Sequence, residues 1–310
     1  MFLHRDFFLP FSFADVTFVA LLSSYSKTKR MTISKIQLFI SVLLLSVSLQ
    51  AQVFSGKVLD AKTAETLPFV SIGIPGKSVG TVAQLDGSFN ITISDIYNND
   101  SIRFSIIGYE AKKMLVSEFK ALATAQKAVI KLQPQDEILS EVMIRPRDMK
   151  SKILGNEFDS PSITAGFTSD DLGSEIGTVM KLKDGKDYYL KNCGFNFGRV
   201  DYDSIIFRIN IYNIKNGLPG DLLHQLPIYI TVYRDQRSAE VDLRPYNLHI
   251  DQDFILSLEW VQDLPEKTKS LMFCAGFFGN KVVYRQVAED VWRDFPIGIG
   301  MWCDAEYEKH

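Results

Sequence analysis

Apolar and polar residues alternate in short stretches over residues 53–133. In Phe89 to Ser94, in Ile102 to Ile106 and in Ala128 to Leu132, every second residue is apolar. A period of two residues is typical of a strand with one buried face. Turn-forming residues such as Asp86-Gly87 separate the stretches. Six or seven short strands in this region predict a small antiparallel sandwich.

The same period returns in the second half of the chain. Ile205 to Tyr212 gives the clearest alternation, and Ile228 to Tyr233 and Phe254 to Trp260 repeat it. Leu271 to Phe278 is a continuous apolar run, which is typical of a central strand. About eight strands over residues 174–310 predict a second, jelly-roll-like sandwich. We therefore expect an all-β fold that consists of two sandwiches.

Residues 134–173 interrupt the alternation. They contain Pro146, Gly155, Pro161 and Gly166 together with several serines and charges of both signs. Such a composition is typical of irregular connections. We predict a linker here.

Residues 31–52 have the character of an export signal. Lys35 precedes an uncharged, mostly apolar run of about 14 residues, Ile36 to Leu49, and Ala51 is a small residue suited to cleavage. Such a run is short for a membrane span, which needs roughly 20 residues. We predict a cleaved signal peptide, with an uncleaved anchor as the alternative. Residues 1–30 then precede a complete signal, and we interpret them as an extension from a wrongly chosen start codon.

Removing residues 1–52 makes the chain more acidic. The whole chain carries 34 basic and 37 acidic residues. Five basic and two acidic residues lie in the removed part, so 29 and 35 remain, a balance of −6. A nucleic-acid partner requires a basic surface. We therefore expect no nucleic-acid partner.

Five motifs in residues 53–133 occur in the order found in one known family. They are Gly56-Lys57-Val58-Leu59-Asp60, Leu67-Pro68-Phe69-Val70, Gly80-Thr81-Val82, Asp86-Gly87-Ser88-Phe89 and Ser105-Ile106-Ile107-Gly108-Tyr109. Together they resemble the carboxypeptidase-regulatory-like domain, a transthyretin-like sandwich common in exported proteins of Bacteroidetes-type bacteria. The resemblance implies seven strands and a non-catalytic module that supports folding or interaction.

Two further resemblances to known families are weaker. Phe207 to Tyr212, Gly217 to Leu223 and Trp292 to Ile299 are similar to the jelly-roll adhesin-type modules of exported Bacteroidetes proteins. Asp136 to Ile144 resembles the segment that follows the regulatory-like domain in TonB-dependent receptors. The 164 residues after position 146 are too few for the barrel of such a receptor. We therefore favour a simple edge strand for this segment, with a contact to a TonB-like protein as the alternative.

The sequence contains no motif of a known catalytic class. His224 and His249 are isolated, and a zinc site needs three or four convergent ligands. No nucleophile elbow, phosphate-binding loop or dinucleotide-binding glycine motif is present. We expect no enzymatic activity and no cofactor.

Acidic residues leave two alternatives open. A glycosidase can take its two carboxylates from distant strands. Calcium can bind pairs of carboxylates at a strand entrance, here Asp201 with Asp203 or Asp251 with Asp253. The candidates for one or the other role are Asp201, Asp203, Asp251, Asp253 and Glu259. Solvated carboxylates on a soluble domain are the simpler interpretation.

Three tyrosines project from strand faces opposite the predicted core. Tyr212, Tyr229 and Tyr233 can form a platform for a sugar or a protein, because their rings are amphipathic. Alternatively, they lie under a loop or fill a second core face. The cysteines Cys193, Cys274 and Cys303 are expected to be buried thiols, with one disulfide and one spare thiol as the alternative.

These observations predict an exported, non-catalytic binding or scaffolding protein of the cell envelope. Its partner would be an envelope protein or a surface glycan, and only the signal segment would contact the membrane. The expected location is the periplasm, the outer membrane or the cell surface. The alternatives are a carbohydrate-binding or carbohydrate-degrading accessory protein and an accessory to TonB-linked uptake.

Overall fold

The structure, a computed structural model, describes residues 51–125, 128–135, 149–168, 171–182, 186–264 and 269–308. The predicted extension, the predicted signal as far as residue 50 and the TonB-like segment lie outside these ranges. Ala51 and Gln52 belong to the first strand. Among the described residues, no helix is both long and apolar enough to cross a membrane.

The N-terminal sandwich has seven strands and one α-helix, as the resemblance implied for the strands. The strands are β1 Ala51–Asp60, β2 Ser71–Gly73, β3 Gly80–Val82, β4 Ser88–Ser94, β5 Ser101–Ser105, β6 Lys112–Leu115 and β7 Ala128–Leu132. The helix is α1 Val116–Ala125, and a 3-10 turn spans Asp95–Tyr97. One sheet has the order β4-β1-β7 and the other β3-β2-β5-β6.

Alternation along the strands fills the core between these two sheets. Phe89 of β4 and Phe104 of β5 are fully buried, and their ring centroids lie 5.9 Å apart. Phe119 from α1 packs on both rings, so the helix closes one side of the core. The predicted antiparallel arrangement is wrong in one place, because β1 pairs with β7 in parallel. Alternation indicates which face of a strand is buried but not the direction of its neighbour.

The C-terminal sandwich has fifteen strands in the described residues, thirteen of them within residues 174–310, where about eight were expected. They are β8 Met149–Asn156, β9 Thr164–Phe167, β10 Glu175–Met180, β11 Tyr188–Val200, β12 Ser204–Lys215, β13 Leu218–Leu222, β14 Ile228–Tyr233, β15 Ser238–Asp242, β16 His249–Ile250, β17 Phe254–Trp260, β18 Leu271–Gly276, β19 Val282–Arg285, β20 Arg293–Phe295, β21 Gly298–Ile299 and β22 Met301–Glu308. A 3-10 turn spans Arg244–Tyr246.

Two sheets form this second sandwich. The junction sheet has the order β13-β12-β17-β10-β19-β20, with β14 also paired to β12. The other sheet has the order β21-β18-β11-β22-β8, with β15, β16 and β9 paired at its sides. The all-β prediction is confirmed, with both sandwiches built from two layers.

The predicted linker contains two of these strands. Strand β8 pairs with β22 along its whole length, from Met149 opposite Glu308 to Asn156 opposite Met301. Strand β9 pairs with β18. The prediction of a linker is therefore wrong for β8 and β9, whose partners are far away in sequence. Gly155 adopts a φ of 92° inside β8, which explains why a glycine stands in a strand.

The central strands β10 and β17 of the junction sheet, and most of β12, are buried on both faces. Ile205, Phe207, Ile209 and Ile211 of β12 point into the core of the C-terminal sandwich, as their spacing predicted. The opposite face of β12 is buried too: Arg208 is only 4 % exposed. The N-terminal sandwich covers part of this second face, where Ser71 and the Phe69 carbonyl bond to Arg208.

Candidate functional site

A row of four charged side chains crosses the covered face of the junction sheet. Arg208 of β12 is the register partner of Glu259 of β17, Glu259 is the partner of Glu175 of β10, and Glu175 is the partner of Arg285 of β19. Directly opposite residues on neighbouring strands have adjacent side chains. The register of four strands thus assembles two arginines and two glutamates into one network.

Glu259 is the centre of this network. Its Oε2 accepts hydrogen bonds from Nε and Nη2 of Arg208, at 3.0 and 2.7 Å, and from Nδ2 of Asn210 at 2.8 Å. Its Oε1 accepts from the hydroxyl of Ser71 at 3.2 Å and from Nη2 of Arg285 at 3.3 Å. Both carboxylate oxygens therefore have partners, as a buried charge requires.

Glu175 is equally well bonded. Its Oε1 accepts from the Ser257 hydroxyl at 2.5 Å and from Nδ2 of Asn210 at 2.9 Å. Its Oε2 contacts Nη2 of Arg285 at 2.6 Å and accepts from the Tyr212 hydroxyl at 3.3 Å. Asn210 therefore bridges the two glutamates through one amide nitrogen.

The pKa values of the two glutamates are shifted in opposite directions. Burial would raise the pKa of Glu259, but Arg208 and Arg285 outweigh it and hold that pKa below its usual value. Burial raises the pKa of Glu175, against the attraction of Arg285 and with the repulsion of Glu259. Of the two carboxyls, Glu175 is therefore the one that protonates first as the pH falls.

The N-terminal sandwich takes part in this network directly. Nη2 of Arg208 donates to the Ser71 hydroxyl at 2.6 Å, and Nη1 donates to the carbonyl oxygen of Phe69 at 2.8 Å. Phe69 has a φ of 57°, an uncommon conformation for a bulky residue. Arg208 is therefore a buried cation that bonds both sandwiches at once.

Apolar contacts surround the charged row. Phe69 and Val82 of the N-terminal sandwich form one buried cluster with Val261 and Ala288 of the C-terminal sandwich. The rings of Phe69 and Tyr229 have centroids 5.4 Å apart. The two sandwiches are thus joined by an apolar contact as well as by ion pairs.

The segment that follows β19 fits closely against β2 and β3. A Cβ atom added at Gly80 would lie 2.0 Å from the carbonyl oxygen of Ala288, so only glycine permits this approach. Glu289, with a φ of 65°, accepts from Nη1 of Arg103 at 2.5 Å and from the Ser105 hydroxyl at 3.2 Å. Asp290 accepts from the Ser78 hydroxyl at 3.1 Å.

Beside the charged row, the two sandwiches line a partly open cavity of about 580 Å³, which we call the junction cavity. This volume is within the range of about 300–1,000 Å³ that is typical of small-molecule sites. The N-terminal sandwich contributes Arg103 and the segment from Ser105 to Tyr109, and the C-terminal sandwich contributes Tyr212, His224 and Trp292. The cavity exists only because the two sandwiches are docked.

Three aromatic side chains lie in the wall of the junction cavity. Trp292 contacts Tyr212 edge to face, with centroids 5.8 Å apart, and the Arg285 guanidinium lies 5.0 Å from the Trp292 ring centre. Tyr109 donates its hydroxyl to Oδ2 of Asp60 at 2.9 Å, and burial together with that bond raises the pKa of Tyr109 to about 12. All three rings are held in place by their neighbours.

Two residues that line the cavity each have one inaccessible polar atom without a hydrogen-bond partner among the described residues: Nε2 of His224 and Nε of Arg285. His224 is 6 % exposed, and its Nδ1 lies 2.8 Å from the Leu226 carbonyl oxygen, so Nδ1 donates and Nε2 carries the lone pair. Burial and the charge of Arg208 lower the pKa of His224 to about 4. His224 is therefore neutral, and its Nε2 is a buried acceptor without a partner.

The predicted tyrosine platform is not formed. Tyr212 is 8 % exposed and part of the charged network, and Tyr229 is half-buried against Phe69. Only Tyr233 is exposed. The alternative of a second buried face therefore holds for Tyr212 and Tyr229, because the N-terminal sandwich lies over them.

Of the five acidic candidates, only Glu259 lies at the junction cavity. Asp201 bonds to Arg199 and to Ser270, and Asp203 forms an ion pair with Arg234. Asp253 accepts from the backbone N–H of Leu182 at 2.8 Å, and Asp251 is exposed. The described residues contain no group of three or more histidine, cysteine or acidic side chains placed to hold a metal ion.

His249 stands 3.4 Å from an oxygen of Asp187, away from the junction cavity. All three cysteines are buried and free. Cys193 and Cys303 are register partners on β11 and β22. Burial raises the pKa values of Cys193, Cys303 and Cys274, which makes their thiols poor nucleophiles.

Sequence reasoning missed Glu175, Arg208, Asn210, Arg285 and Trp292. A signal for two of them was present, because Arg208 and Asn210 occupy alternate positions of β12, as Ser257 and Glu259 do on β17. Polar residues at strand positions between apolar ones are usually exposed. These residues are buried because the N-terminal sandwich docks on them, and the sequence does not show how the two sandwiches dock.

Residues 54–144 match the family model of the CarboxypepD_reg-like domain. This match confirms the resemblance of the N-terminal sandwich and covers less than half of the chain. Comparison with curated proteins gives no match.

Proposed function

We propose that this chain is an exported, non-catalytic binding or scaffolding protein of the cell envelope, and that it binds its partner at the junction cavity. One observation carries the proposal: a cavity of ligand size lies between two docked sandwiches and is lined by both. Binding sites are commonly found between domains. In this proposal the N-terminal sandwich is a non-catalytic module, and its role is to complete the wall of the cavity.

The carboxylates of the wall favour binding over bond-making. Glu259 is held by Arg208 and Arg285, Glu289 by Arg103, and Asp290 by Arg293. A general acid needs a carboxyl with a raised pKa near the bond that it breaks. Glu259 has a lowered pKa, so it does not suit that role.

The experiment is capture from envelope extract with the whole exported chain, with and without a blocked cavity. Ala111 lines the cavity and is exposed, so Ala111→Trp fills space without disturbing a core. Ala111→Ser is the matched control. We expect the wild type and Ala111→Ser to retain the same partner and Ala111→Trp to lose it. Equal capture by all three would refute the cavity as the binding site.

The alternative of a carbohydrate-binding protein has a specific observation in its favour. The aromatic residues Trp292 and Tyr212 line the same cavity as the acidic residues Glu259 and Asp290. Aromatic rings beside fixed polar groups are the usual lining of a small-molecule site.

A further inference from the structure

Two adjacent phenylalanines are exposed to solvent at one end of the C-terminal sandwich. Strand β18 ends at Gly276, and the apolar run that begins at Leu271 continues past it into the connection to β19. In this connection Phe277 is 70 % exposed and Phe278 is 94 % exposed. At these exposures, two side chains of roughly 200 Å² each leave about 300 Å² of apolar surface in water. Exposed apolar patches of this size are often functional.

The backbone of residues 277–280, which we call the phenylalanine loop, is held from beneath. Nδ2 of the buried Asn156 donates to the carbonyl oxygen of Asn280 at 3.0 Å, and its Oδ1 accepts from the N–H of Asn280 at 2.8 Å. A Cβ atom added at Gly276 would lie 2.5 Å from the ring of Phe158, and one at Gly279 would lie 2.9 Å from it. The loop is thus packed tightly on this ring. A preorganised loop loses little conformational freedom on binding, which favours affinity.

The charges that flank the phenylalanine loop are mostly acidic. Lys281, directly after the loop, is paired with Asp294, with Nζ and Oδ2 at 2.7 Å. Glu157 and Asp159 are exposed, and within the described ranges neither forms an ion pair. Both are neighbours of Phe158, whose ring contacts the loop. The unpaired charges beside the two exposed rings are therefore negative.

This arrangement suits a protein partner better than a membrane. Insertion of apolar side chains into a lipid surface is strengthened by basic residues that meet anionic head groups, and stable anchoring needs such a second signal. The flanking acidic residues do not supply it. In contacts between proteins, a few aromatic side chains in pockets contribute most of the binding energy, and charges at the rim select the partner.

We propose that the phenylalanine loop is a second contact surface of this chain, which inserts Phe277 and Phe278 into an apolar pocket of a protein partner with a basic rim. Glu157 and Asp159 meet that rim. None of these four residues lines the junction cavity, so the two surfaces are separate. The inference goes beyond the proposed function, because a scaffold needs one surface for each component that it holds.

The test compares single variants of the whole exported chain. Phe278→Ser removes the most exposed ring, and its urea unfolding midpoint should equal that of the wild type. Leu85→Ser is the matched control, because Leu85 is 71 % exposed but belongs to the N-terminal sandwich. A protein recovered from envelope extract with the wild type is purified and titrated by calorimetry. We expect binding about 10- to 100-fold weaker for Phe278→Ser and unchanged for Leu85→Ser.

Charge reversal tests the basic rim of the partner. Glu157→Lys and Asp159→Lys should each weaken binding about two- to fivefold at low salt. The difference from the wild type should shrink as salt is added, because exposed charges are screened. An affinity that neither reversal changes would overturn the basic rim.

Two further measurements cover the other occupants. Sedimentation with phosphatidylcholine or phosphatidylglycerol vesicles that Phe278→Ser abolishes would replace the protein partner with a lipid surface. Dimerisation of the chain alone that the same variant abolishes, seen by analytical ultracentrifugation, would replace it with a second copy.

The Ala111→Trp variant separates this surface from the junction cavity. A partner that Phe278→Ser retains and Ala111→Trp loses overturns the phenylalanine loop and leaves the cavity as the binding site. A partner that Phe278→Ser loses, Leu85→Ser and Ala111→Trp retain and the charge reversals weaken supports the loop, and it refutes the cavity alone.

Discussion

Glu259→Gln tests the buried charge network that joins the two sandwiches. The substitution keeps the shape of the side chain but removes the negative charge. Arg208 would keep its bonds to Ser71 and to the Phe69 carbonyl, yet it would have lost its counter-charge at 4 % exposure. Removing one partner of a buried ion pair costs about 3–5 kcal/mol. We expect the free energy of unfolding to fall by about that amount.

The assay is urea unfolding of the whole exported chain, followed by tryptophan fluorescence. Trp260 is fully buried next to Glu259 and reports on the junction sheet. Asp294→Asn is the control, because its ion pair with Lys281, at 2.7 Å, is exposed at the surface. The unfolding midpoint of the control should remain that of the wild type.

A double variant separates the loss of a charge from the loss of packing. Replacing both partners, with Arg208→Met and Glu259→Leu, leaves no unpaired charge, and Arg285 keeps its contact with Glu175. Paired apolar replacement of a buried ion pair is often neutral. The double variant should therefore be more stable than Glu259→Gln alone. Our reasoning is refuted if Glu259→Gln unfolds at the midpoint of Asp294→Asn, or if the double variant is no more stable than the single one.

Three further predictions concern other parts of the molecule. Gly80→Ala places a methyl group against the Ala288 carbonyl, so limited proteolysis should separate the two sandwiches faster than in the wild type; unchanged cleavage would contradict the close contact. The pKa of His224 is lowered to about 4, so the neutral imidazole stabilises the folded state fully above about pH 6.5, and about 3 kcal/mol of this stability is lost as pH falls towards 4. The difference in unfolding free energy between wild type and His224→Asn should therefore shrink over that pH range. A constant difference would speak against the burial of a neutral imidazole. A thiol reagent should label none of the cysteines in the native protein and all three in urea; fewer in urea would indicate a disulfide, with Cys193 and Cys303 as the neighbouring pair.

The alternation of the sequence was enough to predict the strands and the core of each sandwich. Ile205 to Ile211 and Phe254 to Trp260 place their apolar residues where the period of two predicts. The direction of β7 beside β1 and the pairing of β8 with β22 were missed. Both depend on contacts between distant segments, which a local pattern does not contain.

The candidate site was harder to predict because it depends on docking. Since Tyr212 and Tyr229 lie opposite the core face of their strands, the sequence left open whether they are exposed or fill a second core face. The N-terminal sandwich covers that face through Ser71 and Phe69. His224 and Trp292 lie outside the strands, in segments without a period, where no pattern marks them as wall residues.

The most direct test of the central claim is hydrogen exchange of the exported chain, alone and with the partner recovered from envelope extract. Binding in the junction cavity predicts slower exchange in residues 105–111 and 220–225 together, since both segments line it and belong to different sandwiches. Protection that appears in one sandwich only, at a surface away from these segments, would contradict the account.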